Sequence, residues 1–596
     1  MAEAFLVKDI IQIVVFFGCL LALTPVLGSF MAGVFEGKRT FLHPILGGVE
    51  RWIYKLTGVS KEEEMGWKRY FFAVLLFNVF GMLLLWVHQM VQEQLPLNPQ
   101  KMTNVPWALA LNTAVSFITN TNWQAYSGEN TMSYFTQMTG LAVHNFLSAA
   151  TGIAVMLAFA RGLKRSSAST LGNFWVDMTR ATLYVLLPLS TILALVLVSQ
   201  GVVQSFDGYG SVKLREPYVS QVPKTDDKGQ PVNGPDGKPV MVDKTVDTQD
   251  IPLGPAASQI AIKQLGTNGG GFFGQNSAHP FENPTPFTNF LEMLAMVVLP
   301  ASLVYTFGLL IGDKRHAWCL YAVMLMLVLG GFGLAWWSEA HGNPMLGQTT
   351  LMEGKETRFG VMNSVLFGTL TTGTSCGAVN AMHDSFTPLA GMVPLWNMMV
   401  GCIAFGGVGA GIYGILLHVL ITVFIAGLMV GRTPEYLGKK IQSWEASWAV
   451  VGILVPSILV LVGSAVACST AVGQAGISNA GPHGLSEILY GYASASNNNG
   501  SAFGGLSANT NFYNLTLAAA MFLGRFMVIL SVLAIAGNLA SKKTAAPSAG
   551  TLPTNGPTFT LVLLGIILIV AALTFFPALC LGPIVEHGLM LSGRTF

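Results

Sequence analysis

Thr267-Asn268-Gly269-Gly270-Gly271 closes a stretch able to turn as a helix, Ala256 to Leu265, in a chain otherwise dominated by apolar helix formers. Three consecutive glycines do not stabilise a helix, since each costs roughly 1 kcal/mol relative to Ala. Extended or kinked backbone at membrane depth is tolerated only where it is buried in protein or lines a watery cavity. The ligand that suits its bare carbonyls is a desolvated cation. Three more tracts rich in Thr, Ser, Asn and Gly end short helix-compatible stretches: Ser116 to Gln124, Leu370 to Ala378 and Ala493 to Ser501. The first follows Pro106, a residue that suits a first helical turn. The candidate positions are Thr119, Asn120, Thr121 and Asn122, with Gln124 just beyond; Thr267, Asn268, Gly269 and Gly270; Thr374, Ser375, Cys376 and Gly377; and Asn497, Asn498, Asn499 and Gly500.

Fourfold repetition has a physical meaning, because four carbonyl columns around one axis can replace a hydration shell where one cannot. Each half helix also turns its C-terminal end, with its partial negative charge, toward that axis. The tracts contain no Asp or Glu, so a monovalent ion is expected rather than a divalent one. Four ordinary Asn/Gly loops would explain neither the shared pattern nor its phase with the helices.

Composition places these tracts in a membrane. Of 596 residues, 52% are hydrophobic and 10% charged, against about 25% charged in a soluble domain. The net charge of +2 with no basic run argues against nucleic acid as partner. A spanning helix needs roughly 20 apolar residues, and about ten such runs occur, near 10–31, 70–91, 135–160, 181–201, 289–312, 317–337, 391–430, 447–468, 513–538 and 558–578. The expected fold is an all-α polytopic membrane protein with about ten transmembrane helices in four pseudo-symmetric repeats of helix, pore loop and helix. A first helix and loop take 1–69, the repeats 70–161, 180–313, 316–431 and 446–540, and a last helix 541–596. The first run is too long for a removable signal and lacks a small-residue cleavage site.

Lys and Arg crowd one set of loops, at Lys38, Arg39, Arg51, Lys55, Arg161, Lys164, Lys314, Arg315, Arg432, Lys439 and Lys542 among others, which makes that side cytoplasmic and both termini extracytoplasmic. The outer segment within 204–255 is rich in Asp, Lys, Gly and Pro and reads as a solvated loop with hairpin turns. It contains Asp243-Lys244-Thr245-Val246-Asp247. That run lacks the glycine of the phosphorylated P-type ATPase sequence and has no nucleotide domain beside it. The P-loop pattern is missing as well.

Phe405-Gly406-Gly407-Val408-Gly409-Ala410-Gly411-Ile412-Tyr413-Gly414 sits inside the over-long run 391–430. It satisfies GxGxxG without a preceding strand, so it reads as a break in a helix, with Gly406, Gly407, Gly409 and Gly411 releasing backbone. Arg525 lies inside an apolar run, where a charge implies a functional or interface partner. His144, His279 and His383 lack metal-ligand spacing and read as hydrogen-bonded structural residues. Asp384 and Glu282 follow filter tracts, where they would concentrate cations at the mouth or cap helices. The six cysteines read as small buried side chains.

The chain resembles the family of potassium-binding A subunits of the bacterial Kdp potassium-transporting P-type ATPase, within a superfamily that includes the Trk, Ktr and HKT transporters. The resemblance runs end to end, through Thr119 to Gln124, Thr267 to Gly271 with His279 to Pro284, Ser375 to Ala378 with Ala381 to Phe386, Gly431 to Lys440 and Asn497 to Phe503. It implies a non-catalytic subunit that selects potassium. Carbonyls at Asn120, Asn122, Thr267 to Gly269, Ser375, Cys376 and Asn498 to Gly500 would hold the ion, and Gln124 would shape the affinity. ATP hydrolysis would fall to a B subunit (KdpB), with C and F subunits (KdpC, KdpF) completing the complex in a bacterial plasma membrane. No cofactor is implied beyond the transported ion. The resemblance makes the glycine break an internal gate that diverts the ion sideways; Arg525 and the cytoplasmic Arg432 to Lys440 segment are the candidate region of partner contact. Cys402 stands where many family members carry Glu. A self-sufficient Trk/Ktr-type transporter or channel is the alternative.

Overall fold

A computed structural model describes residues 2–223, 240–347, 351–429, 431, 434–545 and 552–594. Sixteen principal helices organise it. The N-terminal α1 (Ala2–Phe35) and a short amphipathic α2 (His43–Thr57) precede four units of similar order. The first unit is α3 (Trp67–Met90), the half helix α4 (Trp107–Ile118) and α5 (Thr136–Lys164). The second is α6 (Phe174–Ser199), α7 (Ala256–Leu265) and α8 (Pro286–Ile311). The third is α9 (Lys314–His341), α10 (Gly360–Gly373), then α11 (Pro388–Met399) and α12 (Ala410–Met429). The fourth is α13 (Ser443–Ser469), α14 (Gly481–Ser496) and α15 (Asn511–Ser541), followed by α16 (Pro557–Leu591).

Among the described residues ten helices are long and apolar enough to cross a membrane. Their burial separates them by place in the unit. In the spanning helix that follows each tract (α5, α8, α12, α15), 61–83% of the apolar window is buried, against 22–39% in the spanning helix that opens each unit (α3, α6, α9, α13) and 17% and 28% in α1 and α16. The hydropathy of the two sets is similar, so hydrophobicity cannot tell an inner helix from a lipid-facing one. Only packing around a common centre does.

Helix starts follow capping chemistry. Thr285 forms a reciprocal capping pair with Thr288 ahead of Pro286, Asp313 accepts from the His316 N–H at 2.9 Å, and Thr510 accepts from the Tyr513 N–H at 3.2 Å.

The run 391–430 is not one span. It divides into α11, an irregular loop Val400–Gly409 and α12. Outside the helical body, β1 (Gly210–Pro223) pairs antiparallel with β2 (Met241–Ile251), with a register irregularity between Lys213 and Tyr218. Asp243 lies on β2, and the Asp226–Lys238 part of this segment is outside the described residues.

On the basic-loop side, β3 (Glu435–Tyr436) and β4 (Lys439–Lys440) form a two-rung hairpin. The Lys439 ammonium turns inward and donates to the carbonyls of Gly162 at 2.9 Å, Leu539 at 2.7 Å and Arg165. A cation thereby caps the C-terminal ends of α5 and α15, as the helix dipole favours. Arg432 lies outside the described residues.

Candidate cation filter

The four half helices end in the same local structure. Each closes on a capping residue (Thr119, Gly266, Thr374, Asn497) and then enters the left-handed region at the next one, with φ of 61° at Asn120, 47° at Thr267, 55° at Ser375 and 53° at Asn498. The residue after that reaches back to the last helical turn: Thr121 N–H to Ser116 O (3.0 Å), Asn268 to Lys263 (2.8 Å), Cys376 to Thr371 (2.9 Å) and Asn499 to Ser494 (2.8 Å). This is a Schellman termination, a motif that normally places glycine at the left-handed position. Here Asn, Thr, Ser and Asn occupy it, at a cost of roughly 1–2 kcal/mol for a side chain held there.

The bonds those side chains make explain why glycine is not used. Asn120 Nδ2 donates to the Thr267 carbonyl at 2.8 Å, and Ser375 Oγ donates to the Asn498 carbonyl at 2.8 Å. Asn498 Nδ2 donates to Thr121 Oγ1 at 2.9 Å, and Thr267 Oγ1 accepts from the Val408 N–H at 3.0 Å. Each strained residue thus ties its own tract to another tract or to the loop Val400–Gly409.

Two residues beyond the first left-handed position the backbone is left-handed again: Asn122 (φ 55°), Gly269 (83°), Gly377 (89°) and Gly500 (95°). Three of these are glycine because the neighbouring tract is too close for a methyl. A Cβ on Gly269 would overlap the Cys376 carbonyl, one on Gly377 the Asn499 carbonyl, and one on Gly500 the Thr121 carbonyl. The first tract departs from this. Asn122 Nδ2 donates to Asn145 Oδ1 at 2.6 Å, and Gly270 leaves the space, since a Cβ there would lie 3.1 Å from that of Asn122. The ring runs in chain order and closes on itself. Left-handed geometry at alternate positions lets successive carbonyls face one side, which is the geometry a dehydrated cation requires.

Around this ring the sequence-predicted residues divide. Thr119 to Asn122, Thr267 to Gly270, Thr374 to Gly377 and Asn498 to Gly500 are brought together; all are buried except Gly500, which like Asn497 is half-buried. Gln124 lies beside the ring. Its Oε1 accepts from the Gly271 N–H at 2.9 Å and its Nε2 donates to the Gly271 carbonyl at 3.1 Å, bracketing the first and second tracts together. Glu282 and Asp384 do not stand free at a mouth. Glu282 is buried in an ion pair with Lys263, and Asp384 pairs with His483 at 2.7 Å. Neither caps a helix, because each is occupied by a cation from a neighbouring segment.

His144 bridges the carbonyls of Gly140 and Gly81, and His383 meets the Tyr490 hydroxyl at 2.7 Å. His279 accepts from the Phe281 N–H at 3.1 Å, and burial together with Arg358 pushes its pKa down to about 4. All three are hydrogen-bonded, as their spacing led us to expect. His483, whose two ring nitrogens face Asp384 and Glu586 at 2.7 Å each, went unnoticed in the sequence. Burial alone would lower its pKa, but the hydrogen bonds and charges of the two carboxylates push it up to about 10.

Next to the second and third tracts lies Val400–Gly409. Five of its residues (Gly401, Cys402, Phe405, Gly406, Gly409) have positive φ. The Gly406 N–H donates to the Gly373 carbonyl at 3.1 Å, and a Cβ on Gly407 would lie 3.5 Å from that of Ser375. Of the predicted gate residues, Gly406, Gly407 and Gly409 belong to this loop. Gly411 does not, for it sits in the first turn of α12 packed against Gly406. A cavity of about 90 Å³ opens beside the loop, lined by Ser375, Cys402, Gly407, Tyr413, Asn498 and Arg525 among others. Arg525 is only 6% exposed and has no ion pair among the described residues. It therefore faces the interior of the chain rather than an outer surface.

The sequence matches the family described as "Potassium-transporting ATPase A subunit" over residues 14–588. The chain belongs to this family. Among its relatives, the "Potassium-transporting ATPase potassium-binding subunit" of Ralstonia pickettii (strain 12J) is 55% identical over 97% of this chain and 99% of its own length. The protein of the same description from Methylococcus capsulatus is 54% identical over 98% of this chain and 100% of its own length. Of solved structures, the potassium transporter TrkH from Vibrio parahaemolyticus aligns over 88% of this chain and 96% of its own, at 14% identity and a TM-score of 0.49.

Proposed function

We propose that this chain is the potassium-binding and translocating subunit of an ATP-driven potassium import complex. It takes external potassium into the ring of four tracts and passes it to a P-type ATPase partner, so that ATP hydrolysis occurs on the partner. The observation that carries the reading is the fourfold Schellman termination followed by a second left-handed residue, a construction with no purpose in an ordinary loop. The names of the relatives support the ion and the coupling to an ATPase. The uneven distribution of Lys and Arg supports a cytoplasmic side at the Arg161, Lys314 and Lys439 loops, with both termini extracytoplasmic.

In this reading the loop Val400–Gly409 stops straight passage beneath the ring, and the adjoining cavity begins the sideways route. Arg525 lines that cavity, so any exchange with a partner there runs through the interior. The KdpB, KdpC and KdpF subunits are the partners that family membership implies.

The test is potassium-stimulated ATP hydrolysis and potassium uptake by liposomes holding the purified complex, with and without this chain. Stimulation that vanishes when the chain is omitted is the expected result. Concentrative, potential-driven uptake by liposomes holding the chain alone would instead establish a self-sufficient Trk/Ktr-type transporter.

A further inference from the structure

The second tract is braced in a way the other three are not. Three residues before the capping residue, the half helices carry Ser116, Lys263, Thr371 and Ser494: small hydroxyls in three units and a lysine in one. Lys263 is fully buried. Its ammonium pairs with Glu282 and donates to Asn276 Oδ1 at 3.3 Å. A second buried carboxylate, Glu292 on α8, lies behind the ring and has no ion pair of its own within contact distance among the described residues.

Glu292 reaches the ring through one side chain. Gln264 Nε2 donates to Glu292 Oε2 at 2.8 Å and to Ser277 Oγ at 3.1 Å, and Ser277 Oγ donates to the same carboxylate oxygen at 2.6 Å. At its other end, Gln264 Oε1 accepts the Cys376 thiol at 3.5 Å. A side-chain amide has one donating and one accepting end, and the Glu292 oxygen that Gln264 meets is an acceptor, since it takes the Ser277 hydroxyl as well. Glu292 therefore dictates which way Gln264 points, and this orientation offers an acceptor to Cys376. The backbone carbonyl of Cys376 is the atom against which Gly269 closes the second tract on the third.

We propose that Glu292, acting through Gln264, is a positioning residue of the filter that sets the spacing of the second and third tracts, and with it the affinity and selectivity for monovalent cations. This rests on reading the tracts as the cation filter. Glu292→Gln keeps the size of the side chain but removes the group that forces the orientation of Gln264. The Lys263–Glu282 ion pair is kept in that variant.

The measurement is potassium-stimulated ATP hydrolysis by the assembled complex, with KM and kcat read separately and repeated with rubidium and sodium. Glu292→Gln is expected to raise KM for potassium about tenfold and to narrow the gap to rubidium, with kcat unchanged. Gln264→Ala should do the same, and the double variant should be no worse than either single one, because the two act in series. Cys376→Val, which leaves the Gln264–Glu292 pair intact, should raise KM about threefold, a loss of the order expected for one weak hydrogen bond. It serves as the second probe if Glu292→Gln fails to assemble. Gly269→Ala in the same assay separates the two readings. If Gly269→Ala shifts KM while Glu292→Gln and Cys376→Val leave it unchanged, or if the effects of Glu292→Gln and Gln264→Ala add, the positioning role is overturned and the filter reading stands. No effect from Gly269→Ala would bring down the filter reading itself.

Discussion

The four filter tracts and the loop Val400–Gly409 are both irregular backbone buried in the same helical body, yet they are held in different ways. Every tract is tied to its own half helix by the same turn bond, and the side chain of its first left-handed residue is tied to another tract or to the loop. The loop has five left-handed residues and ties of a different kind, mostly from its backbone N–H groups. Three are Cys402 N–H to the Asn397 carbonyl at 2.9 Å, Gly406 to Gly373 and Val408 to Thr267. Two of these three end on the filter units themselves. Strain that is over-determined by its surroundings persists as fixed geometry, whereas strain held by a few bonds belongs to an element that can move. We expect the ring to hold one spacing and the loop to be the element that is released.

The contrast can be broken from either side. The largest effect is expected in the ring. Gly269→Asp places a side chain where the Cys376 carbonyl lies, at a φ of 83°, and the combined strain and overlap of more than about 2 kcal/mol amounts to a loss of roughly thirtyfold or more in potassium affinity. Equilibrium binding of potassium against sodium and rubidium by the purified complex measures it. An unaltered affinity would mean that the tracts do not meet around an ion.

The loop should respond in kind rather than in degree. Removing Gly406 to Gly409 is expected to leave potassium affinity near that of the native chain but to open an ATP-independent leak, visible as current through the reconstituted complex. Tight coupling without leak would make the glycines a packing device only.

The smallest effect is expected at the outer cluster that ties α14 to the segment after the third tract. His483 is held protonated to about pH 10 between Asp384 and Glu586, well above its ordinary value of 6.5. A raised folded-state pKa means that the stabilising contribution is complete below pH 6.5 and is lost as pH rises toward 10. The unfolding midpoint of the native protein should fall by a few degrees across that window, and His483→Gln should remove most of this slope. A native profile that is flat from pH 6.5 to 10 would show that the two carboxylates do not hold the proton.

Much of this could be read in advance, because it depends on composition and short-range pattern. Ten apolar runs foretold ten spans, and four Thr/Ser/Asn/Gly tracts foretold four half-helix ends. The glycine-rich stretch foretold a break inside the run 391–430, but placed it too far along. The break starts at Val400 and ends before Ala410, since Gly411 and Gly414 fit into α12 once Gly406 packs on Gly411. Asp384 and Glu282 read as free acids because their cations, His483 and Lys263, lie 99 and 19 residues away in the chain. A lone lysine in the half helix α7 was the available signal for the buried network, and its pairing is invisible without the fold.

The amino-acid sequence by itself determined that this chain lives in a membrane, that it repeats one helix-and-tract unit four times, and to which family it belongs, because hydropathy, glycine placement and motif identity are properties of neighbouring residues. Tertiary structure alone decided which helices face inward and that Asn120, Ser375 and Asn498 bear strain in order to lock tract to tract. It also decided that Gln124 clamps beside the ring and that Arg525 and Lys439 turn inward. Those outcomes depend on atoms brought within 3 Å by packing around a common axis, and separation along the chain carries no record of that distance.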